Sequence, residues 1–278
     1  MKLNRRDVLV VAGSAATAIL VAGRAQAATM ETYYYLVFNN PVTGKEKEYL
    51  SWYDNRHIID VTSIPCFVSG QRFIRNETQM YPNVEPKLAS YLTLYKVRTD
   101  DLDAVNADIT KRIQTGVTKF EKPSVIEADT GQGYWYRFSA PEIKRTVPLP
   151  ADFAGKKLVN YDHIVFMNAV EGKQKEWEEW YDHTHSPDML TGAGIMTSQR
   201  TTLARPSGNT KPAATKEMVL FMVQMPEGLP ANSAAPKIAP TGMPSPQDSK
   251  TTRGYTYRQI GPLVTHEQAV AQKATFKD

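Results

Sequence analysis

The sequence contains an internal repeat, and this repeat constrains the fold more than any other feature. The pattern Trp-Tyr-Asp-x-x-His-x-x-Asp begins at Trp52 and again at Trp180, 128 residues later. The same offset aligns residues 33–45 with residues 161–173 without a gap. Such dense matching indicates a duplication, because self-similarity at a fixed offset is the signature of repeated structural units. We therefore predict that the chain contains two copies of one unit.

The periodicity of apolar residues divides the first copy into six elements. Alternating or continuous apolar runs predict strands, whereas apolar residues spaced by three and four predict helices. The predicted elements are a strand at 33–38, a helix from Gly44 to Pro65, strands at 67–74 and 89–97, a helix at 102–116 and a strand at 132–138. The order βαββαβ is the ferredoxin-like arrangement. We predict an α+β fold in which two tandem ferredoxin-like units pair their sheets into an α/β barrel, because each sheet has one face without helices.

The repeat also sets the predicted domain boundaries. The first unit covers residues 28–140, a linker covers 141–157, the second unit covers 158–262 and a C-terminal tail covers 263–278. The second copy departs from the first at 226–246, where six prolines disfavour a regular second helix. This stretch is predicted to be either an irregular covering loop or a lid over a pocket. We expect either a monomeric pseudo-dimer, in which the two units pair as two subunits would, or a homodimer.

Residues 1–27 resemble a twin-arginine export signal. Arg5-Arg6 precedes an apolar run at 8–22, and Ala25-Gln26-Ala27 offers the small-x-small pattern that a signal peptidase cleaves. The apolar run is shorter than the roughly 20 residues that a membrane-spanning helix needs. We therefore expect a periplasmic protein without a membrane segment after cleavage. An uncleaved membrane anchor is the alternative.

Charge and composition disfavour several classes of partner. The formal net charge is +4, but residues 1–27 carry +3 of it, so the remaining chain is almost neutral. No basic tract remains that would indicate binding to nucleic acid or to an anionic membrane. Cys66 is the single cysteine, which rules out an internal disulfide. The chain also lacks the glycine-rich and Gly-x-Ser-x-Gly motifs of nucleotide-binding proteins and serine hydrolases.

The repeated motif resembles a known superfamily. Trp52-Tyr-Asp-Asn-Arg-His57-Ile-Ile-Asp60, followed by Ile64-Pro-Cys-Phe67 and Gly70-Gln-Arg-Phe73, is similar to the dimeric α/β-barrel superfamily, in particular its EthD-like branch. The resemblance covers residues 30–140 and 158–262. It implies paired ferredoxin-like units with a cavity between each sheet and its helices. Members include cofactor-free oxygenases, aromatic polyketide cyclases, lactone isomerases and haem-dependent enzymes, so the resemblance implies a fold and not one function.

The repeated histidines are the main candidates for catalysis. Each histidine has an acidic residue three positions before it and another three positions after it, within reach on a helix. If a carboxylate accepted a hydrogen bond from one ring nitrogen, the other nitrogen would be free to exchange a proton near neutral pH. The predicted catalytic residues are therefore His57 with Asp54 and Asp60, and His185 with Asp182 and Asp188. The alternative is that both histidines are packed core residues.

Other side chains are candidates for substrate binding. Arginines on the second strand of each unit would hold an anionic group, or would pair with a helix acid. Tyrosines next to the histidines would donate to an oxyanion, or would only pack. Aromatic residues on central strands would face a cavity that suits an aromatic ligand. These candidates are Arg72, Arg200, Tyr53, Tyr181, Tyr34 and Trp135.

We expect no cofactor, although two alternatives stay open. Asp182, His183, His185 and Asp188 are residue types that divalent metals accept. The resemblance also implies that haem could bind through His57 or His185. The sequence most favours an exported, cofactor-independent enzyme with acid–base chemistry, of the lyase, dehydratase, isomerase or cyclase type, acting on a small apolar, aromatic molecule. A non-catalytic small-molecule-binding protein and a haem- or metal-dependent oxidoreductase are the alternatives.

Overall fold

The computed structural model describes residues 29–79, 88–115, 123–206, 215–234 and 245–276. In the first half, the elements in chain order are β1 (Glu31–Asn39), α1 (Glu46–Trp52), a π-helical turn (Tyr53–His57), α2 (Ile58–Thr62), β2 (Phe67–Arg75), β3 (Tyr91–Thr99), α3 (Leu102–Thr115) and β4 (Gln132–Phe138). The order βαββαβ expected for this half is therefore present. The first helix differs from the prediction, because a π turn interrupts it and it ends before Ser63.

The second half repeats this order with one change. After a short β5 (Ile143–Lys144) come β6 (Leu158–Met167), α4 (Gln174–Trp180), a second π turn (Tyr181–His185), α5 (Ser186–Met189), β7 (Ile195–Pro206), β8 (Glu217–Pro226), β9 (Arg253–Gln259), β10 (Val264–Thr265) and α6 (His266–Lys273). Where the first half has α3, the described residues of the second half have only a single 3-10 turn, Ala231–Ala234. Residues 235–244 of the proline-rich stretch lie outside the described residues.

The strands form a closed barrel of eight antiparallel strands. The order around the barrel is β2-β3-β1-β4-β7-β8-β6-β9, and β9 returns to pair with β2. Closure satisfies the backbone groups that a sheet edge would otherwise expose. β1 and β6, which occupy equivalent positions in the repeat, therefore lie on opposite sides of the barrel. The fold is α+β, with a barrel whose outer face is covered by helices.

Alternation along each strand separates two kinds of core. Residues that point into the barrel form one aromatic and aliphatic cluster, which includes Leu36, Phe38, Ile164 and Phe166. Neighbouring residues point outwards, because successive strand side chains lie on opposite faces of the sheet. The outward residues pack beneath the helices in two further clusters, one in each half. The described part of the proline-rich stretch buries Ala231 and Ala234 in the second of these clusters, as expected of a covering loop.

The C-terminal segment is more structured than a tail. β10 pairs with β2, and α6 begins at a capping box in which the Thr265 side chain and Gln268 satisfy each other's backbone amides. The Lys273 ammonium lies 3.1 Å from the Asp60 carboxylate of α2. The segment therefore packs against the first half. Among the described helices, none is long and apolar enough to cross a membrane.

Arg145 ties the linker to the second half. Its guanidinium donates hydrogen bonds to backbone carbonyls both in the linker and after α5, and Nη1 lies 2.8 Å from the Leu190 oxygen and 2.5 Å from the Gly192 oxygen. Nε and Nη2 donate to the Val147 and Pro148 oxygens, each at 2.8 Å. One side chain therefore satisfies carbonyls from two segments that are far apart in sequence.

Arg145→Ala is expected to lower the free energy of unfolding by about 2 kcal/mol, because hydrogen bonds from a charged donor are stronger than neutral ones. Chemical denaturation would measure the loss. Arg137→Ala is a matched control, since Arg137 makes only an exposed ion pair with Glu31 and should cost less than about 1 kcal/mol. Equal losses in the two variants would contradict this account of the linker.

Candidate functional site

The repeated motif adopts the same local structure in both halves. In a π turn the backbone hydrogen bonds join residues five positions apart, so residues at that spacing lie close together. Trp52 and His57 stack with ring centroids 4.5 Å apart, and Trp180 and His185 stack at the same distance. A regular α-helix would point these two side chains in different directions. The spacing of the motif therefore encodes a tryptophan–histidine stack.

Both histidines lie in aromatic surroundings. The His57 ring also meets Tyr53 edge-on at 4.8 Å, and His185 meets Tyr181 in the same way. Burial lowers the pKa of His57 to about 3, and the nearby Arg72 charge adds to the effect. Burial also lowers the pKa of His185 to about 4, against the opposing effect of the Asp188 charge. Rings with these pKa values are neutral and weakly basic near pH 7. Their catalytic role stays a prediction.

The acids next to the histidines pair mainly with cations. Asp54 accepts a hydrogen bond from Arg72, and Asp182 holds Arg200 through two bonds of 2.8 Å. Asp60, only 1% exposed, lies 2.7 Å from Arg56. The expectation that Asp54, Asp60 and Asp182 orient the imidazoles is therefore not supported by their contacts, because arginines on β2, β7 and the helix compete for the carboxylates. Asp188 is the flanking acid whose charge acts on a histidine.

Several predicted substrate-binding residues lie in the packed layer between sheet and helices. Arg72 is 2% exposed, and its guanidinium lies over the Tyr53 ring at 4.5 Å. Tyr53 and Tyr181 are buried beside the histidines. Trp135 is fully buried and stacks on Tyr35 with ring centroids 4.1 Å apart. The arginines thus pair with helix acids, and these aromatic rings pack in the outer cores.

A cavity of about 810 Å³ opens at one end of the barrel. Its wall is mainly apolar and includes Phe73, Leu94, Leu220 and Met222 from three strands. Tyr34 lines this cavity, and its role in substrate binding stays a prediction. None of the six predicted catalytic residues lines it, and neither Arg72, Arg200 nor Trp135 belongs to the wall. The structure therefore separates the repeated histidines from this mainly apolar cavity.

Amide side chains close the rim of the cavity by bonding to one another. Gln71 and Gln259 both donate to the Gly261 carbonyl, at 2.6 and 2.7 Å. Asn160 donates to the Gln259 side chain at 2.7 Å and accepts from Gln224 at 3.1 Å. Each of these amides is thus engaged within the rim. They shape the opening and leave the recognition of a ligand to other groups.

Asp162 is the unexpected member of the cavity wall. It is 4% exposed, and burial raises the pKa of its carboxyl group to about 8. Tyr34 is also buried, and burial, followed by the charges of Asp162 and Glu142, raises the pKa of its hydroxyl group. Within residues 29–79, 88–115, 123–206, 215–234 and 245–276, neither side chain has a hydrogen-bond partner. Both groups line the cavity, as does the buried Gln71, whose side chain is bonded to the Gly261 carbonyl.

The sequence does contain a signal for Asp162. It is aligned with Tyr34 at the offset of 128, inside a strand where it alternates in phase with Ile164 and Phe166. A carboxylate on the apolar face of a strand is unusual, because an unpaired charge is costly to bury. The repeated histidine motif instead favoured residues of the helix as catalytic candidates.

The predicted metal alternative has no support in the arrangement of side chains. The part of the chain that the structure describes contains no group of three or more His, Cys, Asp or Glu side chains that could hold an ion. His183 is exposed on the π turn, away from the buried face that holds His185.

Comparisons with known proteins relate the chain to others through its fold. No family model matches the sequence, and no curated protein does. An anthrone oxidase-like protein of known structure superimposes with a TM-score of 0.51 and 10% identity, over 85% of this chain and 93% of that one. A Fusobacterium nucleatum protein provisionally named a monooxygenase gives a TM-score of 0.50 and 10% identity, over 85% and 95% of the two chains. At this identity the likeness concerns the fold alone.

Proposed function

We propose that this protein is an enzyme that catalyses proton transfer on a small, largely apolar molecule bound in the barrel-end cavity. Asp162 would be its general acid. The observation that carries the proposal is the position of this buried carboxyl group in an apolar cavity, where its pKa of about 8 keeps it mostly protonated near neutral pH. A general acid is most effective when its pKa lies near the working pH.

The dimensions of the cavity support a small substrate. Cavities of roughly 300–1,000 Å³ with apolar walls and few polar groups are typical of small-molecule sites. The volume of about 810 Å³ would hold one or two fused rings. Phe73 and Leu94 on one side, and Leu220 and Met222 on the other, offer flat apolar contacts. These features favour an aromatic or similarly flat molecule.

The chemistry proposed needs no cofactor. Asp162 would give its proton to a substrate oxygen while a proton on the neighbouring carbon passes to water, which converts a ketone to its enol. The aspartate would then recover a proton from solvent. Enolisation of this kind underlies isomerase, cyclase, lyase and dehydratase reactions on carbonyl compounds, and these are the classes that the sequence favours. The residues that act are all part of the chain.

Two further proposals concern the origin and location of the protein, and a third concerns a second function. We infer that the barrel is a tandem duplication of ferredoxin-like units within the EthD-like branch; the strand orders β2-β3-β1-β4 and β7-β8-β6-β9 support this. We also propose export by the twin-arginine pathway with cleavage after Ala27. The names of the two similar structures favour a second candidate function, oxidation of an aromatic substrate, which oxygen uptake during turnover would reveal.

Exchange of the α protons of 2-tetralone in heavy water, followed by NMR, would test the proposed reaction. The protein is expected to accelerate exchange, and Asp162→Asn should lower the rate at least 100-fold, since general acid–base groups contribute about 10²–10⁴-fold. His57→Gln combined with His185→Gln is the comparison variant, and it should retain most of the rate.

Two outcomes would overturn the proposal. If Asp162→Asn exchanged at the unaltered rate while the histidine variant lost activity, the helix motif would be the catalytic site. If 2-tetralone bound without any acceleration of exchange, the protein would be a small-molecule-binding protein instead.

A further inference from the structure

Two buried polar groups from opposite strands of the barrel line the cavity. Tyr34 on β1 and Asp162 on β6 occupy equivalent positions of the repeat, and these strands lie opposite each other around the barrel. Both side chains point inwards, since they alternate in phase with Leu36 and Ile164 of the interior cluster. They therefore lie on opposite walls of the barrel and line the same cavity.

Burial and then the charge of Asp162 act on the Tyr34 hydroxyl group. The charge of Asp162 raises the pKa of the Tyr34 hydroxyl group, as expected for groups that share a poorly solvated space. Burial keeps Asp162 protonated near neutral pH. A protonated carboxyl group and a tyrosine hydroxyl group are both hydrogen-bond donors. The pair can thus present two neutral O–H donors to one ligand atom, an arrangement that stabilises a developing oxyanion when water is excluded.

Most other polar groups of the cavity are exposed or already bonded. Arg98, Glu142 and Glu267 line the cavity with exposed side chains, and His266 bonds to the Thr62 carbonyl through Nδ1. The rim amides are bonded to each other and to the Gly261 carbonyl. Lys96 neighbours Tyr34 on β3, but its side chain is exposed at the mouth and its ammonium lies over the Phe138 ring at 5.6 Å. A strongly anionic ligand would therefore meet its cation at the entrance and not at the centre.

We infer that the cavity recognises a flat apolar molecule through one oxygen atom, a ketone, enol or phenol oxygen, which accepts hydrogen bonds from Tyr34 and Asp162 together. This substrate class rests on the proposed function. In addition, Tyr34 is a second residue that contacts the reacting oxygen. Hydrocarbons and simple carboxylates are excluded as preferred ligands. A hydrogen bond from Tyr34 to the substrate oxygen, together with proton transfer from Asp162 to it, would favour the loss of the carbon-bound proton.

Binding of 2-naphthol and of naphthalene would test the inference. The two ligands share their ring system and differ only in the hydroxyl group. The wild-type protein is expected to bind 2-naphthol about 30-fold more tightly, since two hydrogen bonds of ordinary strength contribute on the order of this factor. Tyr34→Phe should lower the affinity for 2-naphthol about fivefold and leave the affinity for naphthalene unchanged.

Two variants of Asp162 separate recognition from catalysis. Asp162→Asn retains an N–H donor, so it should keep most of its preference for 2-naphthol while it loses exchange activity. Asp162→Leu removes the donor and should lower the affinity for 2-naphthol about as much as Tyr34→Phe does. One outcome would be that Asp162→Asn exchanges protons at the wild-type rate and keeps its preference for 2-naphthol. That result would refute the general-acid role and leave this inference standing.

Cys66 gives an internal check on the place of binding. It is the single cysteine, it is exposed, and it lines the same cavity. Bound 2-naphthol is expected to slow its reaction with N-ethylmaleimide. Equal affinity for the two ligands, or tight binding of 2-naphthol with no protection of Cys66, would overturn the inference.

Discussion

Asp162→Asn is expected to stabilise the protein by about 3–5 kcal/mol at pH 8. The pKa of this carboxyl group is raised from 3.8 to about 8 by burial alone. Each pKa unit corresponds to about 1.4 kcal/mol of differential stability. At 4% exposure, little of this effect is lost to solvent screening. Asparagine has almost the same shape and no proton to lose, so it removes the cost of burying an ionisable group.

The sign of the pH dependence follows from proton counts. Below about pH 4 the carboxyl group is protonated in both the folded and the unfolded protein, and it costs nothing. Between pH 4 and pH 8 the unfolded chain loses the proton while the folded protein keeps it, so the stability of the wild type falls as the pH rises. The difference between wild type and Asp162→Asn should therefore be small near pH 4 and largest at pH 8 and above.

Denaturant midpoints at pH 4 and pH 8 would measure this difference. Asp108→Asn is a suitable control, because Asp108 is exposed on α3 and makes an i,i+4 ion pair with Arg112. It should change the stability by less than about 0.5 kcal/mol at either pH. A pH-independent difference for Asp162→Asn would mean that the carboxyl group is not buried in its neutral form. The buried Asp162 carboxyl group lowers the stability of the folded protein. A functional role would explain why it is retained.

Trp135→Ala is expected to lower the free energy of unfolding by about 3–5 kcal/mol, the usual loss when a fully buried tryptophan is truncated. Trp135 lies on β4, at the junction with β7 of the other half, and packs between Tyr35 and the edges of Tyr33 and Phe67. Its removal would leave a large hole in the layer beneath the helices. Thermal or chemical denaturation would measure the loss.

A second measurement distinguishes packing from substrate contact. Ile113→Ala, which truncates an exposed residue of α3, should cost under about 1 kcal/mol and provides the stability control. Trp135→Ala should still bind 2-naphthol at temperatures where it remains folded, because Trp135 does not line the cavity. A folded variant that lost ligand binding would instead confirm the substrate contact predicted from the sequence.

The pattern of local structure could be read from the sequence because it depends on neighbouring residues. The strand predicted at 132–138 matches β4, and the helix predicted at 102–116 begins where α3 begins, while its predicted end at 116 lies outside the described residues. The sequence does not predict the π turns. Because the rings of Trp52 and His57 stack, their five-residue spacing is compatible only with such a turn. A spacing on its own does not say which helix type will satisfy it.

The sequence by itself therefore determined the repeated element order, the apolar faces and the need to cover a bare sheet. The tertiary structure decided which polar groups meet. Asp54 and Asp182 pair with arginines from strands that a helical spacing rule does not include. Asp162 and Tyr34, 128 positions apart, line the same cavity because barrel closure places β1 opposite β6. The physical reason is that periodicity fixes the face on which a side chain lies, whereas pKa values and partners depend on groups brought close by long-range strand pairing.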